Sequence, residues 1–340
     1  MAVIKADAYG HGMIQCAKAL NKTKQKPEYF GVALAEEGIE LRKSGINQPI
    51  LVFSPLLRSD ANHYIKYDMI ATIFDTEHIR LIKEFAGKKK VKVHIKIDTG
   101  MGRIGVKYSD SVNFIRKVTG EKALILDGIY THFATSDEKD KSFAQLQLNR
   151  FREVVDELRS EGIKFGLAHA ANSGAILDMP EAYFDMVRPG ISLYGYYPSL
   201  ETSESIKLKP VMSLISYISS TKEIEPGESV SYGRKYIAAK RTKIGTIPAG
   251  YADGIFRGLT NKMSAIIKGK LIPQAGQICM DRIMFDLNEN NIKQGDRVIL
   301  LGGNNKIRID AWDWSKVLNT IPYEVTCNIS KRVPRLYIGE

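Results

Sequence analysis

The stretch VKVHIKIDTGMGRIG, residues 91–105, begins with a β-branched run typical of a buried strand and ends in a glycine-rich turn. Similar runs, followed by helical spacing and a turn, occur on both sides of it as far as about residue 195. This alternation indicates βαβ units and a parallel sheet. The predicted strands are 1–6, 29–34, 49–53, 69–74, 91–97, 124–130, 165–169 and 185–188.

The number of these units separates two fold classes. Eight units fit a (β/α)8 TIM-type barrel at the compact end of its size range, and a doubly wound sheet is the alternative. The strand count favours the barrel, which we assign to residues 1–200 in the α/β class. Its outer helices are predicted over 33–43, 76–85, 109–118 and 141–160.

The sequence changes character after Pro198. Residues 200–207 are polar and are interpreted as a linker, and short alternating runs with glycine and proline turns begin at Pro210. This pattern predicts a mostly antiparallel β domain over residues 201–340. Its predicted strands include 214–220, 243–248, 265–268, 282–286, 297–301 and 332–338, with one helix over 311–318.

Composition excludes several classes of protein. Of the 340 residues 44% are hydrophobic, and no apolar run approaches the roughly 18 residues of a membrane span. The net charge of +11 has no nucleic-acid motif beside it, so we expect neither nucleic acid nor a membrane as partner. Cys16, Cys279 and Cys327 form no CxxC pair, which predicts a reduced, cytoplasmic protein without a metal site.

Barrel enzymes carry their chemistry at the carboxyl ends of the strands, where this chain has several polar groups. Lys5 follows Ile4 at the end of the first predicted strand, and a buried amine is expensive to leave charged. Its side chain either reaches solvent or is suited to Schiff-base or proton-transfer chemistry. Lys96 shares one side of its strand with Asp98, and the glycine-rich turn after them can bring Arg103 over the barrel mouth.

The loops after the last two strands of such barrels commonly hold phosphate. Here they contain Ser173 at a helix start and the segment 188–191, in which Gly190 admits a close backbone approach. His132, one strand earlier, is either packed in the core or part of the chemistry. A phosphate site opposite a strand-end lysine suggests a phosphorylated aldehyde cofactor, and pyridoxal 5′-phosphate meets that description.

Three motifs of the second domain lie near glycines, and each alone is typical of a β turn. Together with the barrel motifs, however, they resemble the alanine racemase family, pyridoxal-phosphate enzymes of fold-type III. The blocks follow the family order over almost the whole chain. They are AVIKADAYGHG (2–12), KIDTGMGRIG (96–105), THFA (131–134), NSGA (172–175), VRPGISLYG (187–195), SVSYG (229–233), GYADG (250–254), ICMD (278–281) and YEVTCNISKRVPR (323–335).

The resemblance implies a role for each matching residue. Lys5 would bind the cofactor aldehyde and act as base on the D-amino acid, and Tyr232 would be the opposite base, contributed by the second subunit of a homodimer with shared active sites. Arg188 would face the pyridine nitrogen and Lys96 would be carbamylated. The phosphate would be held by Tyr9, Ser173, Gly190, Ile191 and Tyr323. The substrate carboxylate would be held by Arg103 and the backbone of Met280, with His132 beside the cofactor and Asp281 beside the substrate as supporting residues.

The implied activity is the interconversion of L-alanine and D-alanine, which supplies D-alanine for peptidoglycan. A serine or broad-specificity amino-acid racemase is an alternative, because the cofactor residues do not determine which side chain is accepted. A non-catalytic pyridoxal-phosphate-binding barrel is another, although such proteins lack the second domain. Family members carry a further strand and helix before the lysine strand, so the chain is expected to be truncated at its N-terminus, with weaker dimerisation.

Overall fold

The computed structural model describes residues 1–288, 290–304 and 306–339. The chain divides into two compact units, unit 1 (Met1–Leu208) and unit 2 (Lys209–Gly339). In the described part of the chain, no helix is both long enough and apolar enough to cross a membrane.

Unit 1 is built on one parallel sheet. Its strands are β1 (Ala2–Val3), β2 (Phe30–Val32), β3 (Ile50–Pro55), β4 (Ile70–Ile73), β5 (Val91–Asp98), β6 (Val106–Lys107), β7 (Leu124–Tyr130) and β8 (Leu167–His169). The order is β1-β2-β3-β4-β5-β7-β8, and the short β6 pairs only with β5. The helices are α1 (Lys5–Tyr9), α2 (Met13–Asn21), α3 (Ala35–Lys43), α4 (Ala61–Lys66), α5 (Thr76–Ala86), α6 (Tyr108–Thr119), α7 (Ser142–Ser160) and α8 (Ser173–Asp178). The predicted TIM-type barrel class is confirmed.

The seam between β8 and β1 differs from the prediction. Residues 185–188, predicted as the eighth strand, form no regular strand, yet they connect the two edges of the sheet. Arg188 N donates to Ala171 O (2.9 Å), and Val3 N donates to Pro189 O (3.1 Å). Asp185 N also donates to Ala168 O (3.0 Å) and the Met1 amino group donates to Val187 O (2.9 Å), so two backbone hydrogen bonds join the segment to each edge. Pro189 has no N–H to continue a ladder.

The two faces of β5 show how the barrel holds its polar groups. Val93, Ile95 and Ile97 are completely buried on one face, as expected for strands covered by helices. His94 and Lys96 lie on the other face because strand side chains alternate, and they project into the barrel interior. The interior is therefore partly polar, and this is where the site is found.

Unit 2 is antiparallel throughout its sheets. One sheet has the order β10-β13-β16, a second has β15-β14-β17-β18 with β9 on β17, and β11 pairs with β12. The bounds are β9 (Leu214–Tyr217), β10 (Ser220–Ile224), β11 (Ser229–Val230), β12 (Tyr236–Ile237), β13 (Thr242–Ile247), β14 (Ser264–Ile267), β15 (Lys270–Pro273), β16 (Ile283–Asp286), β17 (Arg297–Gly303), β18 (Arg308–Ile309), α9 (Ala311–Leu318) and α10 (Pro322–Cys327). The predicted β domain is confirmed.

The two ends of the C-terminal segment behave differently. The helix predicted over 311–318 is present with those bounds, because Asp310 caps it by accepting a hydrogen bond from Trp312 N (2.8 Å). Residues 332–338, predicted as a strand, are irregular. Pro334 has no N–H for a ladder, and the Arg335 guanidinium binds nearby backbone carbonyls instead.

Candidate functional site

Lys5 lies where β1 gives way to a left-handed turn. The predicted strand over residues 1–6 is wrong beyond Val3, because Ala6 to Tyr9 all have φ between 52° and 55°. This conformation costs an L-residue about 1–2 kcal/mol. Contacts elsewhere must therefore compensate for the strain of the turn. Lys5 itself is half-buried at the start of the turn.

Glu37, on α3, supplies much of that compensation. Its Oε1 accepts a hydrogen bond from Ala6 N (2.6 Å), and its Oε2 accepts from Ala33 N (2.7 Å) and Leu34 N (3.1 Å). Both oxygens of the carboxylate are therefore used as acceptors for backbone amides. The sequence-based prediction did not include Glu37, and its place in the first turn of a helix after a strand was the only signal available.

An anion-binding cradle lies beside the turn. Ser173 Oγ accepts hydrogen bonds from Gly190 N (2.9 Å) and Ser192 N (3.3 Å). A Cβ added at residue 190 would lie 2.6 Å from Tyr9 Oη, so only glycine permits this approach. The hydroxyls of Tyr9 and Ser173 and the backbone of 190–191 thus converge, with Ile191 completely buried behind them. This donor set suits a phosphate group.

Arg188 occupies the polar interior. Its Nη1 donates to His169 Nδ1 (2.9 Å), and its Nη2 donates to Thr131 O and Ala170 O (both 2.8 Å). Among the described residues, the hydrogen bonds of Arg188 involve only Nη1 and Nη2. The Nε–H group is therefore available to a ligand. Burial lowers the pKa of Arg188 to about 10, so the guanidinium stays charged at neutral pH.

Lys96 is buried beside Arg188, and its exposed fraction is 3%. Its Nζ lies 4.8 Å from the centre of the Tyr130 ring and has no hydrogen-bond partner among the residues that the structure describes. Burial, followed by the charges of Arg188 and Arg103, holds the pKa of Lys96 well below its usual range. Lys96 is therefore a buried amine whose charged form is disfavoured by its surroundings.

Two other predicted residues of unit 1 lie near this group. His132 Nδ1 is 3.3 Å from Arg188 Nη2, and burial, then the Arg188 charge, lowers the pKa of His132 well below its usual range. Arg103 is exposed after a turn that Asp98 organises by accepting hydrogen bonds from Gly100 N (2.9 Å) and Gly102 N. The structure thus brings His132, Lys96 and Arg188 together, while Arg103 acts on them through its charge.

Tyr232 is strongly exposed, with 73% of its surface accessible. It begins a 3₁₀ turn in unit 2 that follows Ser231, whose φ is 68°. Ser231 Oγ donates to Gln277 O (2.7 Å), which fixes this strained residue. The phenol is therefore presented outward from unit 2 by a braced turn.

Met280 and Asp281, also predicted in unit 2, lie on a loop that contacts the turn of Gly250 and Tyr251. Tyr251 N donates to Cys279 O (3.0 Å), and Gly250 allows the approach, because an added Cβ would lie 2.2 Å from Met280 O. Met280 is half exposed, and Asp281 forms an ion pair with Arg332 at 2.8 Å. Tyr323 is half-buried in α10.

Comparisons with known proteins agree along the whole chain. Residues 1–198 match the family model of the alanine racemase N-terminal domain, and residues 211–337 match that of the C-terminal domain. "Alanine racemase 2" of Caldanaerobacter subterraneus subsp. tengcongensis is 44% identical over 99% of this chain and 88% of its own length.

Solved structures point the same way. The alanine racemase of Clostridium difficile 630 has a TM-score of 0.92 at 41% identity, covering 98% of this chain and 87% of that one. The alanine racemase from E. faecalis has a TM-score of 0.92 at 35% identity, covering 98% and 90%. The fold and the site define a two-domain barrel enzyme. The chain belongs to the alanine racemase family.

Proposed function

We propose that this protein interconverts L-alanine and D-alanine with pyridoxal 5′-phosphate as cofactor, and so supplies D-alanine for peptidoglycan. The observation that carries the proposal is the cradle of Tyr9, Ser173 and Gly190 beside Lys5, in a chain that matches both domains of the family. We further propose a cytoplasmic location, because the three cysteines lie far apart in the sequence and form no CxxC pair.

The residues present fit this cofactor. The cradle would hold the phosphate with help from Ile191 and Tyr323, and Lys5 would bond to the aldehyde. When bound, pyridoxal phosphate supplies a ring that withdraws electrons from the substrate Cα. Arg188 can only donate hydrogen bonds, so a pyridine nitrogen facing its Nε stays unprotonated. This arrangement weakens the electron sink and disfavours transamination.

Racemisation needs two bases, because a proton leaves one face of Cα and another returns to the opposite face. We assign these roles to the Lys5 amine and the Tyr232 phenol. Tyrosine has an ordinary pKa near 10, so a phenol acting as a base needs cations nearby. The exposure of Tyr232 supports a homodimer in which each subunit presents this phenol to the site of the other.

The substrate carboxylate would be held by Arg103 and the backbone of Met280, with Asp281 supporting that loop through Arg332. The Lys96 amine is suited to carbamylation: its lone pair bonds to the carbon of CO2, and the lost proton leaves a carbamate anion. That anion would offer Arg103 a partner of opposite charge and would use the nitrogen that otherwise has none.

The test is racemisation by the purified, cofactor-loaded protein. L-alanine and L-serine are incubated separately, and the D-enantiomers are measured by chiral chromatography. We expect D-alanine from the native chain and none from Tyr232→Phe, whereas Tyr217→Phe, an exposed tyrosine of the same unit, stays active. Loss of the lysine-bound cofactor absorbance in Lys5→Ala tests the anchor. Unchanged racemisation in Tyr232→Phe would remove the two-base assignment, and no D-alanine from the native chain would refute the activity.

A further inference from the structure

Four side chains form a continuous chain of hydrogen bonds through the interior of the barrel. Asp127 Oδ2 lies 3.2 Å from His94 Nε2, His94 Nδ1 lies 2.9 Å from His169 Nε2, and His169 Nδ1 lies 2.9 Å from Arg188 Nη1. The chain runs from β7 through β5 and β8 to the barrel seam. His94 and His169 are completely buried, and none of the roles assigned above uses them or Asp127.

The chemistry of the two ends permits only one arrangement of protons along this chain. Arg188 always donates, so His169 Nδ1 must accept and His169 Nε2 must carry the proton. His169 Nε2 then donates to His94 Nδ1, which leaves the proton of His94 on Nε2, where the Asp127 carboxylate accepts it. Both imidazoles are neutral, with the same tautomer, and the opposite charges sit at the two ends.

The surroundings support neutral histidines. Burial lowers the pKa of His94 and, more strongly, that of His169, and the Arg188 charge adds to both effects. Burial raises the pKa of Asp127, but the hydrogen bonds from His94 and Tyr29 and the nearby charges together hold it below its usual value, which favours the ionised carboxylate. The Tyr29 hydroxyl also donates to Asp127 Oδ2 (3.0 Å). Other groups that face these side chains include the Tyr130 ring, stacked on His169 at 4.8 Å. The Met1 amino group and Lys96 also lower the pKa of His169, and Lys92 lowers that of Asp127.

The backbone leaves room for these hydrogen-bonded side chains. A Cβ added at Gly128 would lie 2.6 Å from His94 Cε1, so glycine at this position makes room for the imidazole between β5 and β7. The residue before it, Asp127, is thereby brought to the ring edge. A ring that merely filled space would not need a carboxylate at Nε2 and a second imidazole at Nδ1.

We propose that Asp127 and His94 are positioning residues for Arg188. The carboxylate fixes the tautomer of His94, His94 fixes that of His169, and His169 holds Arg188 Nη1 so that Nε faces the cofactor ring. The part of the proposal that concerns the ring rests on the function proposed above. The part that concerns the tautomers is a property of the chain without cofactor, and it is tested separately.

The tautomers are read by ¹⁵N NMR of histidine-labelled protein without cofactor, with the two residues assigned through His94→Gln and His169→Gln among six histidines. From pH 6 to pH 9 we expect both to show a protonated Nε2 and an unprotonated Nδ1. Asp127→Asn, whose amide oxygen can still accept, should keep this pattern. Asp127→Leu should give His94 a mixture of tautomers and shift the His169 resonances. A protonated Nδ1 on His169 in the native chain would overturn the proposal, whether or not any variant folds.

The effect on Arg188 is measured as the ratio between the products of transamination and of racemisation. Transamination transfers the amino group of alanine to pyridoxal phosphate and leaves pyruvate and pyridoxamine phosphate. In Asp127→Leu we expect the ratio of pyruvate to D-alanine to rise about tenfold, the change that one pKa unit at the ring nitrogen produces. Asp156→Leu, on the exposed side of α7, is the control. An unchanged ratio in Asp127→Leu would overturn the link to Arg188, whereas a native chain without racemisation would overturn the proposed function and leave the tautomer result standing.

Discussion

Replacing Glu37 by glutamine is expected to loosen the left-handed turn that follows Lys5. Both carboxylate oxygens accept backbone N–H groups, from Ala6 on one side and from Ala33 and Leu34 on the other. Glutamine has one oxygen and one NH2 group. On one of the two sides its NH2 must therefore face a backbone N–H, so that two donors oppose each other. A hydrogen bond to a charged group contributes about 1.5–3 kcal/mol, and one such bond holds the turn, so we expect the turn to open about 2 kcal/mol more easily.

Hydrogen exchange followed by mass spectrometry measures this opening locally, in peptides covering residues 4–13. A change of about 2 kcal/mol corresponds to exchange faster by about thirtyfold in the Glu37→Gln protein. Glu40→Gln is the matched control, because Glu40 lies on the exposed side of the same helix. If the peptides of Glu37→Gln exchange at the native rate, the turn is held by other contacts and our account of its stability is refuted.

Two further predictions concern the cradle and the buried histidines. Gly190→Ala should weaken cofactor binding, because the new Cβ lies 2.6 Å from Tyr9 Oη; fluorescence titration with pyridoxal phosphate checks this, and native affinity would contradict it. The free energy of unfolding should fall as the pH drops below about 6.5, because histidines in the unfolded chain then bind protons that the buried imidazoles of the folded protein do not bind. The urea midpoint at pH 5.5 should lie below that at pH 7.5, and a flat profile would exclude the pKa directions found for His94, His132 and His169.

The elements that sequence patterns predicted well are those whose determinants lie close together in the chain. The helix over 311–318 begins after an aspartate that caps it and has the predicted bounds, and β5 needs only its own β-branched residues. The strand predicted at the N-terminus failed because the left-handed turn depends on Glu37, which lies 31 residues from Ala6. No local preference of an Ala-Asp-Ala-Tyr segment indicates that conformation.

The candidate site divides in the same way. Lys5, Ser173 and Arg188 stand at strand ends or loop starts, where barrel topology alone directs attention. His94 and His169 lie 75 residues apart, and Asp127 lies 33 residues from His94, so their hydrogen bonds exist only after three strands are aligned. The strand period placed His94 on the same face as Lys96, but nothing in the sequence identified its partners.

The irregular seam between β8 and β1 also gives the barrel a preferred place to open. Only two of the described backbone hydrogen bonds join the seam segment to each edge, whereas β5 and β7 share a ladder six pairs long. Lys5 follows β1 on one side of the seam, and Arg188 and Gly190 belong to the segment on the other side. A ligand bound by all three residues would link the two sides of the seam. Bound cofactor would then strengthen the seam, and release of the cofactor would begin with the loss of these few hydrogen bonds.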